Sequence, residues 1–190
     1  ALGLAEYLDQ QTVAELYAIR ARTALDLENA EASLADNLTA LGADVTLAAA
    51  TQAGLLADQA AIYHQAGLYD LVLERSDAAL AFNSLPEESV ADLYAIRADS
   101  LFHQGDLVGA ITEVEYAVGL GQGEALRHAL LAVSHYQEGD EEQALTEAEA
   151  ALAIDEDVAP AYRVRGLVMA WQGKLEEALV DLDRALALDA

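Results

Sequence analysis

Residues 159–188 read APAYRVRGLVMAWQGKLEEALVDLDRALAL, two Ala/Leu-rich segments parted by the polar turn Gln172-Gly173-Lys174. A small residue stands seven before Gly173 (Gly166), five after it (Ala178) and twelve after it (Ala185). The same offsets recur around Gly139 (Ala132, Ala144, Ala151) and around Gly105 (Ala98, Ala110, Ala117). The three glycines are 34 residues apart. A fixed period of this size marks a stack of supersecondary units in which each repeat touches its neighbours. Within 174–188, Leu175, Ala178, Leu179, Leu182, Ala185 and Leu186 follow a helical stripe, with Glu176, Glu177, Asp181 and Asp183 on other faces.

Towards the N-terminus the pattern loosens. Gly67 carries Ala60 seven before it and Ala79 twelve after it. The run Leu-Tyr-Ala-Ile-Arg-Ala at 16–21 returns unchanged at 93–98, and overlaying the two puts Glu28 at the turn, flanked by Ala21 and Ala40. Successive turns are therefore 39, 38, 34 and 34 residues apart, and the extra residues fall at 43–51 and 83–88, as a longer loop or an added helical turn. This spacing predicts helix pairs at 12–27 with 30–42, 48–65 with 68–82, 88–103 with 106–119, 124–137 with 140–153, and 158–171 with 174–188. The turn glycines tolerate the left-handed conformation that ends a helix, and Asp106 and Asp140 are placed to cap the helices that follow. Small residues at fixed offsets let two helix axes approach to roughly 8–10 Å, with bulkier neighbours filling the grooves.

An aromatic, Tyr17, Tyr94 or Tyr162, stands eleven residues before three of the turns, and His128 holds that place in a fourth repeat. With the turn glycine, the three small positions and the 34-residue period, the chain resembles the tetratricopeptide repeat family. The segment from Ala161-Tyr162-Arg163-Val164-Arg165-Gly166 through Glu177-Ala178-Leu179 to Arg184-Ala185-Leu186 is the fullest copy. The resemblance implies an all-α, right-handed solenoid of antiparallel helix pairs, with approximate repeats at 14–47, 53–86, 91–124, 125–158 and 159–190. Residues 1–13 are expected to be the end of a preceding helix plus a connection, because Ala1-Leu2-Gly3-Leu4-Ala5 is similar to Ala40-Leu41-Gly42-Ala43-Asp44. Glu28 in place of a turn glycine and Val72 in place of a small residue depart from the family pattern, and a long first helix or a shifted crossing angle is expected there. No polar capping helix follows Leu188, so the segment is expected to come from a longer array or a multidomain protein.

Composition narrows the function. The chain has 190 residues, a hydrophobic content of 54% and a formal net charge of −25. That charge repels phosphate backbones and anionic bilayers, which argues against nucleic-acid and membrane partners, and it attracts basic ones. There is no cysteine, hence no disulfide framework, thiolate metal site or cysteine nucleophile, and the compartment stays open. Apolar runs are broken by charges before they could span a bilayer, and no basic leader opens the sequence. No glycine-rich phosphate loop or nucleophile elbow occurs. His128 and His135, near Glu124 or Glu138, share a helix face without a defined third ligand, and Asp155-Glu156-Asp157 lacks the spacing of a calcium loop. No cofactor, metal or catalytic residue is expected.

Two constellations remain. Arg20, Arg97 and Arg165 each lie eight residues before a turn, and sixteen residues further on stand Asp36, Glu113 and Asp181. The spacing predicts Arg–carboxylate bridges between the two helices of a repeat, which the planar guanidinium can make bidentate. Gln59 and Leu131 replace the arginine in the other two repeats.

The second follows from the resemblance, in which the exposed face of the first helices lines a concave groove that grips a peptide. By register that groove contains Arg22, Asp26, His64, Asp99, Phe102 and His103, with Glu15, Ala18, Asp58 and Asp92 beside them. Further along come Tyr136, Arg163 and Trp171, with Ala129, Val133 and Leu167 between. The aromatics Phe102, Tyr136 and Trp171 are read either as peptide anchors or as packing between repeats. The basic clamp by which co-chaperone members hold an acidic tail is missing, since the matching places hold Ala18, Arg22, Asp58, Asp92 and Ile96. The reading is a non-catalytic protein-interaction scaffold for a basic or apolar protein segment. The alternative is a module for self-association through apolar array ends, or a spacer within a larger protein.

Overall fold

The computed structural model describes residues 9–27 and 29–189, with nothing taken from the side chain of Asp26. Segment 1–8, the expected tail of a preceding helix, and the turn residue Glu28 lie outside the described residues. Among the described residues there are ten α-helices and no strand: α1 (Gln10–Asp26), α2 (Ala30–Leu41), α3 (Ala49–Gln65), α4 (Tyr69–Leu80), α5 (Glu87–His103), α6 (Leu107–Gly119), α7 (Glu124–Glu138), α8 (Glu141–Ile154), α9 (Ala159–Trp171) and α10 (Leu175–Leu188). Every helix of the five expected pairs is present, and the extra residues of the early repeats are shared between longer loops after α2 and α4 and longer helices α3 and α5, each of 17 residues against 15 in α7. The first helices α1 and α3 are long, at 17 residues each, against 13 in α9.

Local chemistry explains where the helices stop and start. Gly139 has φ +82°, and closure follows from two backbone bonds, Gly139 N–H to Tyr136 O and Asp140 N–H to His135 O at 3.1 and 2.9 Å. The same closing bond joins Asp106 to Leu101 at 2.9 Å, Lys174 to Met169 at 3.0 Å and, beside the Glu28 position, Asn29 to Ala24 at 2.8 Å. The carboxylates of Asp106 and Asp140 then accept from Gly109 N–H and Gln143 N–H at 2.9 and 3.1 Å, capping α6 and α8.

The chain divides into two compact units, one ending at Ile96 and one beginning at Arg97, within α5. In the first unit α1 packs on α2 and α3 on α4. Its core joins Ala14, Ala21, Ala40, Leu47 and Leu55 in one cluster, and Leu56, Ala60, Val72, Ala79 and Leu93 in the next. Val72 is fully buried at its small-residue offset.

In the second unit α7 packs on α8, α9 on α10, and α8 on α9. Ala129, Ala132, Ala144, Ala148, Ala161, Val164 and Val168 form a continuous core, with Ala98, Ala110, Val114 and Leu130 adjoining α5 and α6. The approach of α9 to α10 at Gly166 leaves no room for a side chain. A Cβ on Gly166 would stand 2.9 Å from Leu182 Cγ, 3.1 Å from Ala178 O and 3.2 Å from Asp181 Cβ.

Candidate protein-interaction surface

The arginine ladder holds the two helices of a repeat in register and thereby presents the outer face of the first helix. Arg97 binds Glu113 through Nε and Nη2 at 2.9 and 3.0 Å, and Arg165 binds Asp181 in the same way at 2.6 and 2.8 Å. Arg20 and Asp36 make the equivalent bidentate pair. Asp36 and Asp181 are buried, so each guanidinium satisfies a carboxylate that water barely reaches. The hydrogen bond to Asp181 raises the Arg165 guanidinium further above its ordinary value, against the opposing cost of burial. Tyr17 and Tyr162 lie beneath their arginines, with ring centroids 5.0 and 5.3 Å from Arg20 Cζ and Arg165 Cζ. The repeat that carries Leu131 uses its acid differently: Glu147 Oε2 is 2.6 Å from His128 Nδ1, while Glu124 lies 3.5 Å from Nε2. Arg127 holds Glu124 below the usual carboxylate range by hydrogen bonding to it.

Four expected groove residues of the second unit form one connected patch. Arg163 Cζ of α9 sits 5.2 Å from the centroid of Phe102 on α5. The ring of His103 meets Phe102 edge-on at 5.7 Å, and its Nδ1 is 3.3 Å from a carboxylate oxygen of Asp99. A further pair lies one repeat apart: Trp171 Nε1–H donates to the Tyr136 hydroxyl at 3.1 Å. Phe102 and Tyr136 are half-buried and packed on the core, whereas Trp171 is 73% exposed although it is oriented by that bond. Ala129 and Val133, also assigned to the groove by register, are buried core residues, because small side chains there admit the packing of α7.

In the first unit Arg22 and Asp58 are brought together as an ion pair joining α1 to α3. They flank an open cleft of about 490 Å³ whose walls include Glu15, Ile19, Thr51 and Leu55. The ring of His64 meets that of Tyr69 edge-on at 6.4 Å. The side chain of Asp26 is outside the described residues. Sequence spacing points to the three intra-repeat bridges but not to Arg22–Asp58 or His128–Glu147. The first pair crosses between repeats whose period is irregular, and the second uses a tyrosine position in place of an arginine one.

No group of three His, Asp or Glu side chains converges as a metal site among the described residues, and no described helix is long and apolar enough to cross a membrane. The described surface offers charge and aromatic shape, with acidic groups in excess.

No protein-family model matches the chain, and no curated protein sequence does. Solved structures do. A crystal structure of MamA superposes with a TM-score of 0.57 at 19% identity, covering 89% of this chain and 94% of that one. MamA 41-end from Desulfovibrio magneticus RS-1 gives 0.61 at 14% identity, covering 93% and 94%. YrrB, a TPR protein with an unusual peptide-binding site, gives 0.57 at 21% identity, covering 90% and 84%. These likenesses establish the fold: the chain is an all-α helical-repeat protein of the tetratricopeptide-repeat type.

Proposed function

We propose that this chain is a protein-interaction scaffold that acts by binding alone, taking a basic and apolar protein segment on the exposed face of the first helices of its second unit. The observation that carries the reading is Trp171. A large indole held by a hydrogen bond to Tyr136 while mostly exposed is an anchor whose ordering cost is already met in the free protein. Beside it, the Arg163–Phe102 stack and the Asp99–His103 pair supply flat and acidic contacts. The net charge of −25 selects for basic partners and speeds their encounter. That YrrB, which shares the fold, is a TPR protein with a peptide-binding site supports the class of function.

The test is a titration of a labelled peptide of arginine and leucine, followed by fluorescence anisotropy across a salt series. Binding is expected to weaken as salt rises, and Trp171→Ala is expected to weaken it roughly 30-fold, the scale of a hot-spot residue at about 2 kcal/mol. Equal affinity for an acidic peptide, or an unchanged affinity in Trp171→Ala, would sink the reading.

A further inference from the structure

We infer that the cleft between α1 and α3 is a socket for a single arginine side chain of a partner polypeptide. The socket rests on the reading of the chain as a binding scaffold for basic segments and adds to it a site in the first unit. Its walls are successive first helices that touch each other. The space they leave is about 490 Å³, a volume typical of ligand sites. Gly54, well inside the 17-residue helix α3, gives the cleft its depth. Glycine within a helix is destabilising relative to alanine, and it is used where the backbone takes positive φ or where something approaches it closely. Gly54 is not among the positive-φ glycines, and a Cβ built on it would meet nothing within 4 Å. Gly166 is the contrast, because Leu182 of the same repeat occupies the room beside it. Thirteen residues before the other turns stand Glu15, Asp92, Leu126 and Pro160, each with a side chain. Neither the backbone nor any described neighbour calls for glycine at 54, and the room it leaves opens into the cleft.

Lining chemistry selects the occupant. Ala18 and Leu55 are buried and give the cleft apolar surface, with Ile19 beside them. Asp58 is held by Arg22, so those two charges offset each other. Glu15 has the Gln11 amide as its partner among the described residues, at 2.7 Å. That neutral donor orients the carboxylate and leaves its charge in place. The cleft thus joins an apolar lining to one outstanding negative charge, in a chain of net charge −25. A side chain with an aliphatic stem and a cationic head matches both. Arginine matches better than lysine, because its weakly hydrated, planar guanidinium lies against apolar walls and still pairs bidentately with a carboxylate. A carboxylate ligand is disfavoured, since it would have to draw Arg22 away from Asp58, whose side chain is 6% exposed.

The experiment is an amide NMR titration of the full chain with a capped peptide carrying one arginine between alanines, read at the Gly54 and Thr51 amides. Both are expected to shift and saturate with the arginine peptide, and to respond far less to the same peptide with citrulline, which keeps the shape and removes the charge. Glu15→Gln is expected to weaken binding about threefold, the scale of a pair at an exposed rim. Gly54→Leu fills the socket and is expected to weaken binding roughly tenfold, read at Thr51, while raising Tm, because leucine is the better helix former. Loss of binding with a gain in stability cannot come from unfolding; should Gly54→Leu lower Tm, Gly54→Ala tests the same direction with a single methyl. Gly54 and Thr51 amides that do not move, equal affinity for the citrulline peptide, preference for a glutamate peptide, or wild-type affinity in Gly54→Leu each overturn the socket. Trp171→Ala is expected to leave the Gly54 shift intact, so failure of the aromatic patch and failure of the socket are read separately. A Gly54 shift that disappears in Trp171→Ala would overturn the socket as an independent site.

Discussion

Removing Arg165 is expected to cost far more than removing its partner. The Asp181 side chain is 8% exposed and that of Arg165 25%. Arg165→Leu strands a carboxylate that cannot reach water without opening the α9–α10 contact. Breaking a fully buried pair in this way costs about 3–5 kcal/mol, whereas exposed pairs are worth about 0.2–1 kcal/mol. The partial exposure of the arginine places Arg165→Leu between these limits, at about 2–3 kcal/mol. Asp181→Ala leaves a guanidinium on a long stem that can turn outward, so about 1 kcal/mol is expected. The double variant Arg165→Leu/Asp181→Leu replaces the pair by apolar contact and should recover most of the loss, as such replacements are often neutral or better.

The assay is urea unfolding of the full chain followed by far-UV circular dichroism, with all four corners of the cycle measured and slopes compared. Arg184→Ala is the control. Its pair with Asp157 is exposed on both sides, and it should shift stability by less than about 0.5 kcal/mol. Equal costs for Arg165→Leu and Asp181→Ala, or a double variant no better than Arg165→Leu, would refute the stranded-carboxylate reasoning.

Two further perturbations test the packing and the charge. Gly166→Ala places a methyl 2.9 Å from Leu182 Cγ and 3.1 Å from the Ala178 carbonyl; overpacking of about 1–3 kcal/mol should exceed the helix-propensity gain of about 1 kcal/mol, lowering Tm, and a higher Tm would show that α9 and α10 can part freely. Partial desolvation, helped by Glu88, raises the surface residue Asp92 above its ordinary 3.8; the folded state then holds that proton more tightly than the unfolded chain, so ionisation costs stability above the folded pKa and nothing below 3.8. Asp92→Asn should therefore raise Tm near neutrality and leave it unchanged in acid, as pH-dependent thermal melts would read.

Helix placement was legible because it is written in short-range chemistry. Small residues at fixed offsets, a turn glycine that can take positive φ in four of the repeats and an aspartate directly after it at Gly105 and Gly139 place the pairs without reference to distant residues. The intra-repeat bridges were legible for the same reason, since sixteen residues always span one turn and bring the two helices side by side. Contacts between repeats were not. Arg22 and Asp58 are 36 residues apart in a region where the period itself slips, so no constant offset announces them. Register also could not separate surface from floor on the first helices. It assigned Ala129 and Trp171 to one face, yet the former is fully buried and the latter stands out. Side-chain volume decides between them: an alanine is covered by its neighbours, while an indole tied to Tyr136 extends past them.

The cations sharpen what the charge means. Of eight arginines, seven are in ion pairs with the chain's own carboxylates, and Arg163 lies over Phe102. The arginines therefore act chiefly as internal clamps, and the surplus carboxylates make up the outward field. A protein so arranged has one sign of charge for attraction at range and neutral surfaces for contact. The aromatic patch combines both, and its binding should fall with salt.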